Sequence, residues 1–335
     1  MLAPGVPTEL ERFAIGFDQR DRARVHALWE RVFDSNRWSE GDLTAEFEAA
    51  WTGWNGLDAV AFNGWTGAAL AALEWVGVRG ETVLCPSNTF MATPLTALTA
   101  GARVEFVDCN REDLCMSFAD LERKVAEHKP KAVFLVHIGG HVAFDSDRIA
   151  ELCRHEGIML IEDCAHAHGA EWGGRRAGTW GDVGVWSFAP TKTISTGEGG
   201  MFVSRHGDAV EFARAFRNYG KPDYAVRGLN FRLNEFTAAL GIVQVERLDE
   251  IVAWKNEVAR VHLDALYASR LQLPDGMTSG LYKYVVFEPI ENSTGKVYDE
   301  PCHRILGHHV DLPNTDWVAQ NHWCVPLYYR PEDGV

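Results

Sequence analysis

The sequence predicts an α/β protein on a mainly parallel sheet, and three observations carry that expectation. Short apolar runs, many of them β-branched, stand at 59–62 (AVAF), 82–86 (TVLCP), 103–107 (RVEFV), 132–137 (AVFLVH), 158–163 (IMLIED), 183–187 (VGVWS) and 201–204 (MFVS). Segments with helical periodicity lie between several of them, at 66–78, 89–100, 117–128 and 146–156. Strand alternating with helix in this rhythm builds a layered α/β domain. Most of the runs are apolar throughout, as strands buried on both faces are.

Beyond the last run, 233–266 is helical in pattern and 281–288 (LYKYVVFE) reads as a strand. The expected organisation is a large domain over 1–245, including an N-terminal segment, and a smaller C-terminal α/β domain over 246–335. In sheets of this kind ligands sit beyond the carboxyl ends of the strands. The polar residues that follow each run are therefore the first candidates for function.

The 335 residues are 46% hydrophobic and 24% charged, an ordinary globular balance. The formal net charge of −15 opposes binding to nucleic acid or to an anionic membrane, so neither is expected as a partner. An anionic substrate would have to meet a local cationic site. The first 22 residues lack the basic and apolar regions of a secretory leader, and no apolar run reaches the roughly 18 residues of a membrane span. Seven scattered cysteines (Cys85, Cys109, Cys115, Cys153, Cys164, Cys302, Cys324) form no CxxC pair. Reduced thiols in a cytoplasmic protein are the expectation.

Two segments after apolar runs carry chemistry: 162–170, EDCAHAHGA, and 187–200, SFAPTKTISTGEGG. An enzyme working through an aldehyde cofactor needs a lysine whose neutral amine condenses with the aldehyde. It needs a carboxylate to keep the pyridine nitrogen protonated, which makes the ring an electron sink. It also needs hydroxyls and helix N-terminal N–H groups for a phosphate, and a flat side chain against the ring. Lys192, Asp163, the turn Asn63-Gly64-Trp65-Thr66-Gly67 and Phe90 supply these at four strand ends.

The series resembles the DegT–DnrJ–StrS family, the pyridoxal 5′-phosphate (PLP)-dependent sugar aminotransferases of the type I aminotransferase fold. The likeness runs from about residue 30 to 250. It includes Ala45-Glu46-Phe47-Glu48, the PSNTF turn at 86–90, VHIGG at 136–140, EDCAHAHGA, SFAPTK with TGEGG, and GLNFRLNEFTAALG at 228–241. The resemblance implies that Lys192 is the catalytic residue, carrying PLP as a Schiff base and then shuttling a proton between substrate and cofactor. It implies that Asp163 pairs with the pyridinium nitrogen, that His166 lies near the phenolic oxygen and that Phe90 stacks on the ring. Ser187 and Thr66 match the family's phosphate-binding hydroxyls, with Trp65 where glycine is common in the phosphate turn. Asn230 matches an asparagine that reaches the phosphate from a neighbouring subunit, which implies a homodimer with shared active sites.

The function implied is transfer of an amino group from glutamate or glutamine to a keto-sugar, a nucleotide-linked keto-deoxysugar foremost. A ketocyclitol acceptor is an alternative. A sugar dehydratase using PLP or pyridoxamine phosphate is disfavoured, because those relatives carry histidine where Lys192 stands. A PLP-binding regulator without catalysis is a more distant alternative. Asp163, Cys164, His166 and His168 also offer four metal ligands in six residues, but without the spacing of ordinary zinc sites, and no metal is assigned.

Overall fold

Residues 15–328 are described by the structure, a computed structural model. Most of the stretch read for a leader and the end of the C-terminal sequence, 329–335, lie outside them. Two helices, α1 (Gln19–Ser35) and α2 (Asp42–Asn55), precede the alternating region. There β1 (Asp58–Phe62), α3 (Trp65–Val76), β2 (Thr82–Pro86), α4 (Ala92–Thr99), β3 (Arg103–Val107), α5 (Phe118–His128), β4 (Ala132–Val136), α6 (Ser146–Glu156) and β5 (Met159–Asp163) follow in the expected order. A short hairpin of β6 (Glu171–Trp172) and β7 (Arg175–Arg176) leads to β8 (Val183–Ser187), β9 (Gly200–Ser204), α7 (Gly207–Phe216) and α8 (Glu235–Val258). The remainder holds β10 (Met277–Thr278), β11 (Tyr284–Val286), α9 (Cys302–Ile305), α10 (Pro313–Gln320) and β12 (Trp323–Val325).

All seven expected runs become strands of one sheet, ordered β1-β9-β8-β5-β4-β2-β3. Only β9 runs against the rest, antiparallel to both β1 and β8. The carboxyl ends of β1, β2, β5 and β8 therefore share one edge, where the candidate residues stand. Apolar layers cover both faces. Phe47, Trp51, Trp186, Phe188 and Ile242 pack under α1, α2 and α8 on one side. Phe62, Leu73, Phe134, Phe202 and Phe216 fill the other.

The helix expected over 233–266 starts at Glu235 and gives way to a π-helical turn at Ala259–Leu263. Residue 245 falls inside α8. The segment after α8 folds back against the sheet, where Val285, Val318 and Cys324 share a core with Leu84 and Leu135, while β10 extends the β6–β7 hairpin into a separate three-stranded sheet. No helix among the described residues is long and apolar enough to cross a membrane. All seven cysteines are unpaired and buried.

Buried carboxylates tie the layers together. Glu235 accepts from the backbone N–H groups of Gly41, Leu43 and Thr44 and so caps α2 from α8. Glu48 accepts from the Ala61 N–H and pairs with Arg214 and Arg217. Glu162, fully buried beside Asp163 on β5, accepts from the N–H groups of Gly178, Trp180 and Gly181 at 2.6–2.8 Å. His137 accepts the Ala143 N–H at Nδ1, so its Nε2–H donates to Glu162 at 2.8 Å. Glu162→Ala strands three backbone donors in the interior, at about 1–3 kcal/mol each. A loss of at least about 3 kcal/mol is expected in denaturant unfolding, and a midpoint like that of the unmodified protein would disprove the anchor.

Candidate active site

Asp163 ends β5, 5% exposed, and both of its oxygens are engaged. Oδ1 accepts from the Trp65 indole at 3.0 Å and from the Ala165 N–H at 3.1 Å, and Oδ2 accepts from the Thr93 hydroxyl at 3.0 Å. Burial raises its pKa, while these three donors and the nearby Lys192 ammonium oppose that shift. The result is a buried carboxylate at the end of β5, held by three protein donors.

Lys192 lies in the loop between β8 and β9, its backbone N–H bonded to the Ala189 carbonyl. Its Nζ stands 5.0 Å from the Tyr282 ring centroid. Burial lowers its pKa to about 8; the Asp163 charge opposes that shift and the Lys283 charge adds to it. A substantial neutral fraction near physiological pH is what a nucleophilic amine requires.

His166, 4% exposed, stacks on Tyr282 with centroids 3.9 Å apart and planes 22° apart, and the Tyr298 hydroxyl lies 3.3 Å from its Nε2. Burial and the Lys192 charge push its pKa well down, so the imidazole is neutral. Its buried Nδ1 has no hydrogen-bond partner. Such an atom needs a ligand group or water to satisfy it.

One strand end away stand the residues that the sequence offered for a phosphate. Gly200 pairs with Phe62 on one side and with Ser187 on the other. A Cβ at Gly200 would stand 2.5 Å from the Gly64 carbonyl carbon and 2.8 Å from the Trp65 nitrogen, so only glycine lets this turn come so close. The turn opens α3, whose first N–H groups receive no side-chain cap. Thr66, exposed at the second position of α3, and Ser187, buried at the end of β8, flank it. The Trp65 side chain leaves the turn and reaches Asp163, so this bulky residue braces the carboxylate. Phe90, 64% exposed, and Asn230, also exposed, stand open to solvent on the single chain.

The four-ligand grouping does not assemble. Among the described residues, the groups whose ligand atoms converge are Asp113–Cys115–His141 and His137–Glu162–Cys164. In the first, the Asp113 carboxylate accepts the Cys115 and Phe144 N–H groups, and in the second Glu162 and His137 are taken up as described above. His168 packs against Trp51, Trp186 and Phe188, as a core residue does.

Tyr282, Lys283, Tyr298 and Thr93 join the site without having been read from the sequence. Thr89 and Thr93, four apart with hydroxyls 3.0 Å from each other, carried a helical-spacing signal. The tyrosines come from the C-terminal segment and carried none.

Comparison with known proteins places the fold in a family. The family model described as the DegT/DnrJ/EryC1/StrS aminotransferase family matches residues 19–294. A dTDP-3-amino-3,4,6-trideoxy-alpha-D-glucose transaminase of Micromonospora megalomicea subsp. nigra is 33% identical over 342 residues, covering 92% of this chain and 91% of the relative. A GDP-perosamine synthase of Vibrio cholerae is 33% identical over 263 residues, covering 77% and 71%. The crystal structure of S. venezuelae DesV in complex with a ketimine intermediate matches with a TM-score of 0.86 at 26% identity, covering 94% of this chain and 92% of that one. The matched span contains the whole sheet and every strand-end residue named above, and the chain is an aminotransferase of the DegT/DnrJ/EryC1/StrS family.

Proposed function

We propose that the chain is a PLP-dependent aminotransferase that moves an amino group from glutamate or glutamine to a nucleotide-linked keto-deoxysugar. The observation that carries this reading is the convergence of Lys192, Asp163 and the unpartnered Nδ1 of His166 on one space at the sheet edge. The relatives named for dTDP- and GDP-linked amino sugars support the acceptor class.

The donor set fits PLP. Lys192 would bond its aldehyde carbon, Asp163 its ring nitrogen and His166 its phenolic oxygen. Ser187, Thr66 and the N-terminus of α3 would hold the phosphate, with Trp65 bracing Asp163 and Phe90 covering the ring. When bound, PLP supplies an electron sink through which an amino group passes from donor carbon to acceptor carbon. The chain's own part is to lower the Lys192 pKa so that a neutral fraction of its Nζ takes the proton from the donor α-carbon and returns one at the other end. Asp163 would set its charge against the ring nitrogen, and the Tyr282 and Tyr298 rings flank His166. Lysine at 192, where dehydratase relatives carry histidine, favours transfer over dehydration.

The proposal extends to organisation. A large unit, 1–245, carries the cofactor, and the smaller unit, 246–335, closes over it with Tyr282 and Tyr298. The active form is a homodimer, with Asn230 completing the phosphate site of a second copy. Exposed Phe90, Leu95, Leu98, Tyr219, Tyr224 and Leu229 supply apolar surface for that contact. A cytoplasmic setting suits seven buried, unpaired thiols.

The test is a PLP-loaded preparation given glutamate or glutamine and a panel of dTDP- and GDP-linked keto-deoxysugars and ketocyclitols. Aminated nucleotide sugar is expected; a ketocyclitol product alone would move the reading to that acceptor. Bound PLP with no amine exchange from any donor would leave the non-catalytic regulator. Light scattering during size exclusion should find the active species dimeric, and a fully active monomer would sink the shared site.

A further inference from the structure

Lys283 stands beside the site with no role assigned to it above. Its backbone N–H bonds to the Gly139 carbonyl at 2.9 Å, which fixes the residue just before β11. Its ammonium lies 5.1 Å from the centroid of the Tyr282 ring, the same ring that the Lys192 ammonium faces at 5.0 Å. Tyr282 stacks in turn on His166. Two lysines thus share one aromatic platform at the reacting end of the site.

Their neighbourhood lacks a counter-charge for Lys283. Among the described residues it has no carboxylate at ion-pair distance. The nearby Arg260 and Arg270 are already paired, with Glu257 at 2.6 Å and Asp264 at 3.0 Å. Lys283 is half-buried, with its ammonium beside the Tyr282 ring. A half-desolvated ammonium next to a second lysine is unfavourable until an anion arrives. The Lys283 charge depresses the pKa of both Lys192 and His166. The chain's net charge of −15 repels anions at long range, which leaves recognition of an anionic substrate to a local cation.

We propose that Lys283 receives an anionic group of the substrate, a carboxylate or a phosphate, beside Lys192. The proposal rests on the function above for the substrate's identity: the carboxylate would be the amino donor's and the phosphate the acceptor's diphosphate. The anion site itself needs no turnover to be seen.

Calorimetric titration of the PLP-loaded protein with glutarate and, separately, with inorganic pyrophosphate tests it. At least one of the two is expected to bind, with its Kd raised about tenfold or more in Lys283→Met and largely recovered in Lys283→Arg. Weakening of glutarate assigns the donor carboxylate, and weakening of pyrophosphate assigns the acceptor. In steady state the corresponding KM should rise in Lys283→Met and recover in Lys283→Arg, which a general loss of structure would not produce. Binding of both anions unchanged in Lys283→Met, or absent from the unmodified protein, overturns the proposal. Failure to transaminate any acceptor would fall on the proposed function and leave this result standing.

Discussion

Lys192→Ala is expected to lower kcat/KM by about 10³-fold or more, since positioned proton transfer alone contributes about 10²–10⁴-fold. The same change should remove the visible absorption band of bound PLP. Both losses follow from one amine. A second readout separates chemistry from folding. Capture of PLP by cofactor-free protein needs the neutral amine, and Lys192 is lowered from 10.5 to about 8 by burial. About a tenth of these amines are then neutral at pH 7, so the capture rate should rise steeply with pH and level off above about 8. The sign follows from the charged form being the unreactive one. A rate flat from about pH 6 to pH 9 would contradict the lowered pKa, and an intact absorption band in Lys192→Ala would end the assignment of Lys192.

Much of this was legible in the chain because the relevant physics is local. The seven apolar runs report burial on two faces, and each becomes a strand of the sheet. Residues directly after those runs, Asp163, Ser187 and Trp65 among them, must lie at the strand ends because nothing else separates them from the strands. The motif GLNFRLNEFTAALG illustrates a different kind of signal. Asn234 caps α8, Glu235 caps α2, and Gly241 leaves room for the Phe47 ring, whose carbons would stand 2.6–2.7 Å from a Cβ there. Those residues hold scaffold together, so family likeness at this segment speaks for the fold more than for chemistry.

What escaped the sequence depends on contacts between distant segments. The run 281–288 looks like one strand, yet β11 covers only Tyr284–Val286. Leu281 has φ 45°, and the chain before β11 lies along the Gly139–Gly140 turn, with a Cβ on Gly140 placed 2.5 Å from the Tyr282 nitrogen. That close approach brings Tyr282 over His166, more than a hundred residues away in sequence, with Lys283 beside the Tyr282 ring. No periodicity encodes it. The direction of the Trp65 side chain was hidden for a similar reason: its place in a turn is local, but the carboxylate it meets is 98 residues distant.

That Trp65–Asp163 contact sets the second large effect. Asp163→Asn keeps the shape of the side chain but removes the charge opposite the ring nitrogen. It also turns an amide NH₂ toward the indole N–H or the Thr93 hydroxyl, both of which now donate to Asp163. Losing a preorganised charge in a water-poor site costs about 10²–10³ in kcat, and a drop of that size is expected with PLP still bound through Lys192. Trp65→Phe is the control. It removes one of three donors and leaves the carboxylate, so the Asp163 pKa should rise and kcat should fall by only about tenfold, the worth of one hydrogen bond to a charged group. The ordering is the test. If Asp163→Asn keeps kcat within about tenfold of the unmodified enzyme, the carboxylate is not what holds the ring nitrogen protonated. If Trp65→Phe matches the loss in Asp163→Asn, the indole acts on the cofactor directly, and the hydrogen bond to Asp163 is a consequence of its position there.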